Sequence, residues 1–561
     1  MRRFGAHLIP AVASAVLVGA TMLISSRKYF WNDELYSFVL IADPSFSGML
    51  SAFHDAINNT PALYFILGWG WAQVFGAGEL SLRLFSCLGI LAALWTMWIL
   101  LRRVYGTWPA ALSVVMVFCT SGLILEQMAE ARMYGLLLAL AASAVYLFDA
   151  AMRSNRRSPL LIGATVATHA ALIHTHLFGP LYSATMALGA VIMLGRPGRR
   201  SHPMGARDHL LGIVASWPLF LLYIPSYLNQ SAAYGSRGWL TVPTLGDLVS
   251  FLALDGNELL GSQALVLLFL GLGLHLLLRS RHGQIAAINQ DTSTAPASEV
   301  AVRPRDRHLL WVAWLLLAFP VGIYLFSVLI RPIFWYRYMI PSVLGWCILI
   351  ASVTSRFSLG DAWRAGPGRR WQAPAARAIC IAMLLPLLAF PILTAHMTVP
   401  RERPGLSDTT FGFESLPVVS QVLGFFLERH HYAPDRGRYF YVLDAEGAAD
   451  PASGGFGYQE FVHAEAFRRQ YPERLGEHIM TQEMTEDFLA RHERFVVLAY
   501  PDYVATCPAR ARGLSRQWSD LHCPQWVRRR LVESPGFSVQ LLGHAKGLAV
   551  LLVERVSTRG A

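Results

Sequence analysis

The sequence predicts a polytopic α-helical membrane protein with about eleven spanning helices, followed by a C-terminal α/β domain on the outer face. Three observations carry this reading. The chain of 561 residues is 54% hydrophobic and only 15% charged, with mean hydropathy +0.40, whereas soluble domains carry roughly 25% charged residues. Its basic residues fall in short blocks between apolar runs, as topology determinants do. At about residue 397 the apolar character ends abruptly and charged residues become common.

Spanning helices are expected over 6–26, 80–101, 109–125, 131–151, 159–175, 177–194, 208–228, 259–279, 308–330, 337–355 and 376–396, each near the length that crosses a bilayer. With the N-terminus inside, the cytoplasmic links hold Arg102-Arg103, then Arg153 with Arg156-Arg157. Next come Arg196, Arg199-Arg200 and Arg207, then Arg279, Arg281, Arg303, Arg305 and Arg307, and last Arg356, Arg364 and Arg369-Arg370. Every block lies on one side, as the positive-inside rule requires, and the C-terminus emerges outside. The net charge of +11 is thereby assigned to topology, and no nucleic-acid partner is expected. The first run, flanked by Met1-Arg2-Arg3, lacks a small-x-small cleavage site and reads as a retained helix.

Pro61 to Phe75 is apolar but too short to span, and counting it would invert every later loop. It reads as an interfacial or re-entrant helix with Trp69 and Trp71 at headgroup level, inside a long first external loop, 27–79. Residues 281–307, with Asp291-Thr292-Ser293-Thr294, read as a disordered cytoplasmic loop. The division expected is therefore a transmembrane domain, 1–396, and a soluble domain, 397–561. In the latter, 438–444 and 494–500 read as buried strands and 537–541 with 549–556 as a terminal hairpin. Helical patterns lie around 415–431, 459–471 and 481–491. Four of the six cysteines sit in apolar runs. Cys507 and Cys523 in the tail form either a disulfide, worth about 3 kcal/mol on the loop-entropy model, or two free thiols.

Polar chemistry accumulates in the external turns. Directly after the first apolar run stands Trp31-Asn32-Asp33-Glu34-Leu35-Tyr36. The two acids either cap a short interfacial helix or form a reactive site, since carboxylates beside a bilayer are costly. The next external turn, 126–134, packs Glu126, Glu130 and Arg132 before Tyr134; a later one holds His174 and His176; another holds Arg331, Arg337 and Tyr338, where arginines break the positive-inside pattern. Asp33 can act as a general base. Glu34 and Glu130 can position a divalent cation (Mg, Mn or Zn) through hard oxygen ligands. Arg132, Arg331 and Arg337 can hold phosphate in forked geometry, and His174 and His176 can bind that phosphate or a metal. The plainer alternatives are interfacial histidines, snorkelling arginines and aromatic belts.

The order of these motifs resembles a known family. Asp33-Glu34-x-Tyr36, then Asn59-Thr60-Pro61-Ala62-Leu63-Tyr64, then Glu79-Leu80-Ser81-Leu82-Arg83-Leu84 looks like the first-loop signature of C-fold (GT-C) integral membrane glycosyltransferases. The subgroup is the dolichyl-phosphate-mannose protein mannosyltransferase-like family, which includes lipid A aminoarabinose transferases. Gln127-x-x-Glu130-Ala131-Arg132-x-Tyr134, His174-Thr175-His176-x-Phe178 and Arg337-Tyr338-x-x-Pro341 resemble its later elements. The resemblance covers about residues 5–350. It implies a polyprenyl-phosphate sugar donor, a lipid, glycan or protein acceptor and an inverting transfer on the non-cytoplasmic face. It also implies a catalytic Asp at Asp33, supporting acids at Glu34 and Glu130, and a donor-phosphate contact at Arg337. Many members carry His or Lys before the first-loop Pro, where this chain has Thr60; His54 is the candidate substitute. The expected setting is a bacterial inner membrane with the tail outside. The competing readings are a transporter or lipid flippase, whose charged groups belong near the bilayer midplane, and a membrane-anchored interaction protein acting through its tail.

Overall fold

The computed structural model describes residues 7–195, 203–234, 240–252, 307–356, 372–403, 412–450 without 414, 454–501, 503 and 525–556. The first apolar run is α1 (Leu8–Arg27), packed along α5 (Glu79–Tyr105). Between them the first loop folds into α2 (Asn32–Ile41), α3 (Phe46–His54) and α4 (Leu63–Phe75). The last is the short apolar helix expected at 61–75. The bundle continues through α6 (Thr107–Thr120), α7 (Gly122–Gln127), α8 (Tyr134–Arg153), α9 (Pro159–Ile173), α10 (Gly179–Gly195), α11 (Pro203–Ser216), α12 (Ile224–Tyr234) and α13 (Leu245–Leu252). It closes with α14 (Arg307–Leu329), α15 (Val343–Arg356) and α16 (Gln372–Thr398).

Among the described residues five helices are long and apolar enough to cross a membrane, or six if one bent pair is a single span. This is an integral membrane protein. The expected runs coincide with helices, except 259–279, which lies outside the described residues together with most of 281–307 and with Cys507 and Cys523. Three expected continuous spans are broken. The run at 208–228 becomes α11, a 3-10 turn at Trp217–Leu222 and α12, with a 59° bend. The bend falls at Tyr223, and Pro218, at the start of the 3-10 turn, removes a backbone donor from the preceding helical run. The run at 109–125 breaks at Ser121, and the one at 337–355 begins as a 3-10 turn, Tyr336–Ser342. Hydropathy registers none of these breaks because the backbone changes course while the side chains stay apolar.

One close approach sets the geometry above it. A Cβ on Gly135 would lie 2.0 Å from the carbonyl oxygen of Ser86, and one on Gly89 would lie 2.3 Å from the backbone of Gly135. Only glycine lets α5 and α8 touch backbone to backbone here. The Ser86 hydroxyl then donates to the carbonyl of Arg132 at 3.0 Å, which ties the turn before α8 to the N-terminal part of α5. At the other end of the same pair, Asp149 is fully buried and accepts from Arg103, Arg153 and His308.

The tail forms a six-stranded sheet: β1 (Val418–Ser420), β2 (Tyr439–Val442), β3 (Ile479–Met480), β4 (Arg494–Ala499), β5 (Phe537–Ala545) and β6 (Leu548–Arg555), in spatial order β3-β2-β1-β4-β6-β5. Strands β1 to β4 are parallel, and β6 adds antiparallel to β4. The expected hairpin is present, with Lys546 and Gly547 both at positive φ in its turn, as a two-residue hairpin loop requires. The central β1 falls inside the stretch expected to be helical at 415–431. Three residues are too few to show period two, and α17 (Leu423–Tyr432) follows at once. Alternation along the strands sorts two cores. Val419, Phe495, Val497, Leu551 and Val553 face one side with Phe488 of α20 (Gln482–Arg491). Val418, Val496, Leu498 and Val550 face the other, with Phe426 of α17 and Phe467 of α19 (Gly454–Gln470). The short α18 (Ala445–Ala449) precedes α19. That second core is continuous with the membrane bundle, so the tail packs on the first loop and not apart from it.

Candidate active site

The acidic pair at the start of α2 separates into two different environments. Glu34 is fully buried, and its carboxylate is saturated. Its Oε1 accepts from Arg83 Nε at 2.8 Å and from Ala131 N–H at 2.8 Å. Its Oε2 accepts from Arg83 Nη2 at 2.7 Å and from Trp31 N–H at 3.2 Å, the latter a cap on its own helix. Arg83, also fully buried, spends its remaining donors on the carbonyls of Lys28 and Tyr29. Glu34 therefore welds α2 to α5 and to the turn before α8. A carboxylate offers about four lone-pair positions, and all are used.

Asp33 is the exposed member, with 17% of its side chain open. Its Oδ2 accepts from Arg337 Nη2 at 2.6 Å, and Arg132 Nη2 lies 3.9 Å from the same oxygen. Arg132 is anchored by Nη1 to the Asp33 carbonyl at 3.0 Å and to Ser37 Oγ at 3.1 Å. Arg337 sits among rings, 5.5 Å from Trp31, 5.6 Å from Tyr134 and 5.9 Å from Trp335. Burial works to raise the Asp33 carboxyl, but Arg337 and Arg132 outweigh it and hold the group below the ordinary carboxylate range. Glu130 differs: burial pushes its carboxyl up to about 6, with Lys28 opposing and Glu34 adding to the rise. Its Oε2 is buried without a hydrogen-bond partner among the described residues, as are Arg132 Nε and Arg337 Nε. Buried polar atoms are ordinarily paired, so these mark where a polar ligand would be met.

His176 and Tyr338 complete the wall. The His176 ring lies 5.0 Å from Tyr338 and 5.7 Å from Tyr134, and its Nδ1 accepts from Phe178 N–H. Burial, aided by Arg132 and Arg337, pushes its pKa down to about 3, so the ring is neutral and presents Nε2. The structure thus gathers Asp33, Glu34, Glu130, Arg132, Tyr134, His176, Arg337 and Tyr338.

Three other expected contacts face elsewhere. His54 is exposed at the end of α3 and pairs with Ser226 of α12. His174 Nε2 meets the carbonyl of Leu219 in the bent segment. Arg331 is exposed just after α14, where its backbone N–H donates to the Phe326 carbonyl at 3.2 Å. Glu34, expected with Glu130 to position a divalent cation, has all its lone pairs used, and among the described residues no group of three or more His, Cys, Asp or Glu could hold a metal ion.

Two contributors escaped the sequence reading. Arg83 stands in a quoted motif without a role, although an arginine one turn into an apolar helix already demands a buried acid. His463 comes from the tail: its ring stacks on Tyr36 at 4.6 Å. Its only sequence signal is the Glu460, His463, Phe467 stripe at helical spacing.

No family model and no curated protein matches the sequence. Solved structures do. ArnT from Cupriavidus metallidurans bound to undecaprenyl phosphate aligns over 98% of this chain and 98% of its own, with TM-score 0.54 and 15% identity. The same protein in the apo state aligns over 99% and 98%, with TM-score 0.55 and 14% identity. The chain has the GT-C fold of these structures, tail included.

Proposed function

We propose that this protein transfers a hexose or pentose from a polyprenyl-phosphate donor to an acceptor at the outer face of a bacterial inner membrane, with inversion. Asp33 is the general base. The observation that carries the reading is the partly open Asp33 carboxylate held between Arg132 and Arg337, beside a Glu130 oxygen without a hydrogen-bond partner among the described residues. The solved neighbour of like fold binds undecaprenyl phosphate. Acceptor recognition, and whether that acceptor is lipid, glycan or protein, falls to the space between this cluster and the tail.

The arrangement suits the chemistry. Loss of a lipid phosphate develops negative charge that fixed guanidinium groups stabilise, and no second acid is needed to protonate a phosphate leaving group. Arg337 is shared: in the free protein it holds Asp33, and a donor phosphate competes for the same fork. Donor binding then loosens the ion pair that suppresses Asp33, so the base strengthens when there is something to transfer. Glu130 and Arg132 sit in a turn, Arg337 in a 3-10 segment and Asp33 in the first turn of a ten-residue helix of the first loop, whereas a transporter would place its charged groups within spanning helices at the midplane.

The test is turnover of a panel of undecaprenyl-phosphate hexoses and pentoses by the protein in lipid nanodiscs, with envelope lipids and glycans as acceptors, read by mass spectrometry. Release of undecaprenyl phosphate with a new glycosylated product is expected. Failure to discharge any donor under conditions where the protein is folded would sink the reading. A second expectation concerns Arg337→Lys. A point charge replaces a planar fork, so the donor KM rises about 10- to 100-fold, the equivalent of one charged hydrogen bond. An unchanged KM would remove Arg337 from the phosphate.

A further inference from the structure

The helix carrying Asp33 is gripped from above by the tail. Tail helix α17 lies against its first turn, where a Cβ on Gly424 would come within 2.8 Å of the Asn32 side chain. The Tyr432 hydroxyl accepts from Phe30 N–H at 3.0 Å just before it. Tail helix α19 takes the next turn. Its Phe467 packs on Tyr36 at 5.4 Å, and His463 stacks on the same ring at 4.6 Å and 28°.

We propose that His463 is a positioning residue for the transfer reaction, setting the rotation and height of α2 so that Asp33 meets Arg337 and the acceptor. This rests on Asp33 being the base.

The hydrogen bonds of the ring show why this one side chain holds the junction. Its Nδ1 lies 3.1 Å from the carbonyl of Ile57, which can only accept, so that nitrogen carries the proton. The Tyr234 hydroxyl lies 3.1 Å from Nδ1 and 3.3 Å from Nε2, and donates to the carbonyl of Ala56 at 2.8 Å. One buried imidazole therefore ties α19 to α2 through Tyr36, to the 55–60 turn through Ile57, and to α12 through Tyr234.

That turn carries strain. Ala56 sits at φ 64°, in the left-handed region that a residue with a Cβ occupies only when its surroundings enforce it. Here the enforcing contacts are Tyr234 on Ala56 and His463 on Ile57. The strained turn leads directly into Asn58-Asn59-Thr60-Pro61, so both polar segments of the first loop hang from the same tail ring. Asp33 lies one helical turn before Tyr36, on the same face. A small rotation of α2 about its weld at Glu34 displaces the carboxylate directly, and misplacements of about 1 Å cost up to about a hundredfold in rate.

Full-length His463→Phe and His463→Asn in nanodiscs test this, using the undecaprenyl-phosphate sugar that the wild type discharges. Phe keeps the stack on Tyr36 and loses the N–H; Asn restores an N–H near Nδ1. For His463→Phe the expected result is a fall in kcat of about 10- to 100-fold at unchanged donor KM, with monodisperse elution. Most of that loss returns in His463→Asn. A purely structural ring would instead lower the folded yield and leave kcat per folded molecule at the wild-type value, which overturns the proposal. So would His463→Asn behaving no better than His463→Phe. Should His463→Phe not fold, Tyr234→Phe decides: it frees Ala56 and one face of His463, and a kcat equal to wild type overturns the proposal. Asp33→Asn run alongside separates the layers. If it is inactive while His463→Phe is normal, the positioning role alone is wrong; if Asp33→Asn is fully active, the base assignment falls and the positioning role with it.

Discussion

Replacing Asp33 by Asn is expected to lower the sugar-transfer rate about 10²- to 10⁴-fold, the range that a positioned general base supplies. The substitution is nearly isosteric, and its amide oxygen still accepts from Arg337, so folding and the aromatic wall around Trp31 and Tyr134 should persist. Donor KM should stay constant or fall, because Asn competes with phosphate for Arg337 less strongly than a carboxylate does. Single-turnover discharge of the lipid-linked sugar, with donor binding measured separately, distinguishes the two effects. A wild-type rate would end the assignment of the base.

The pH behaviour follows from the same contacts. The folded Asp33 carboxyl is held below its ordinary range by Arg337 and Arg132 against the raising effect of burial. Its contribution to stability is therefore complete above the ordinary Asp value and is lost as pH falls through the lower folded one. The acid limb of kcat/KM, which reports the free enzyme, should lie below the usual Asp value.

The second large effect is on folding. Arg83→Met strands the fully buried Glu34 carboxylate with only backbone N–H partners, and removing one partner of such a pair costs about 3–5 kcal/mol. Glu34→Gln strands Arg83 in turn. The double variant Glu34→Gln/Arg83→Met should recover much of the loss, since no unpaired charge remains. Thermal unfolding followed by loss of monodisperse protein compares the four forms. If Arg83→Met is as heat-resistant as wild type, Glu34 does not anchor α2, and its place among the supporting acids reopens.

These two predictions divide a dipeptide whose members look alike in sequence. Of the two readings first open for Asp33-Glu34, the helix cap is seen at Glu34, which caps and anchors, while Asp33, the base proposed above, faces the arginines. A single helical step of about 100° points one carboxylate into the α5–α8 junction and the other into the open cluster, and Arg83 decides which is which. No spacing rule reveals this, because Arg83 is 49 residues from Glu34.

Much was legible in linear form. Apolar run length located the helices, since bilayer thickness acts on each segment locally, and the terminal hairpin was legible in the paired runs 537–541 and 549–556. The motif order brought Glu130, Arg132 and Arg337 to Asp33. His54, His174 and Arg331 had the right chemistry and lay in the expected set of turns, but such a set is wide enough to hold polar groups that never meet. The bend at Tyr223 and the break at Ser121 escaped for a related reason: hydropathy measures what side chains prefer, and backbone hydrogen bonding is set by residues such as Pro218 and by the neighbouring helices.

By itself, then, the sequence determined that this chain is a helical membrane protein, where its apolar helices lie, and which short polar turns hold the acids, arginines and histidines. Each of these depends on the composition of one contiguous segment. Tertiary structure decided which carboxylate is buried and saturated and which is partly open, and that the tail closes on the acidic helix through His463. Those outcomes depend on pairs of residues dozens to hundreds of positions apart, whose energies exist only once burial has removed water from between them.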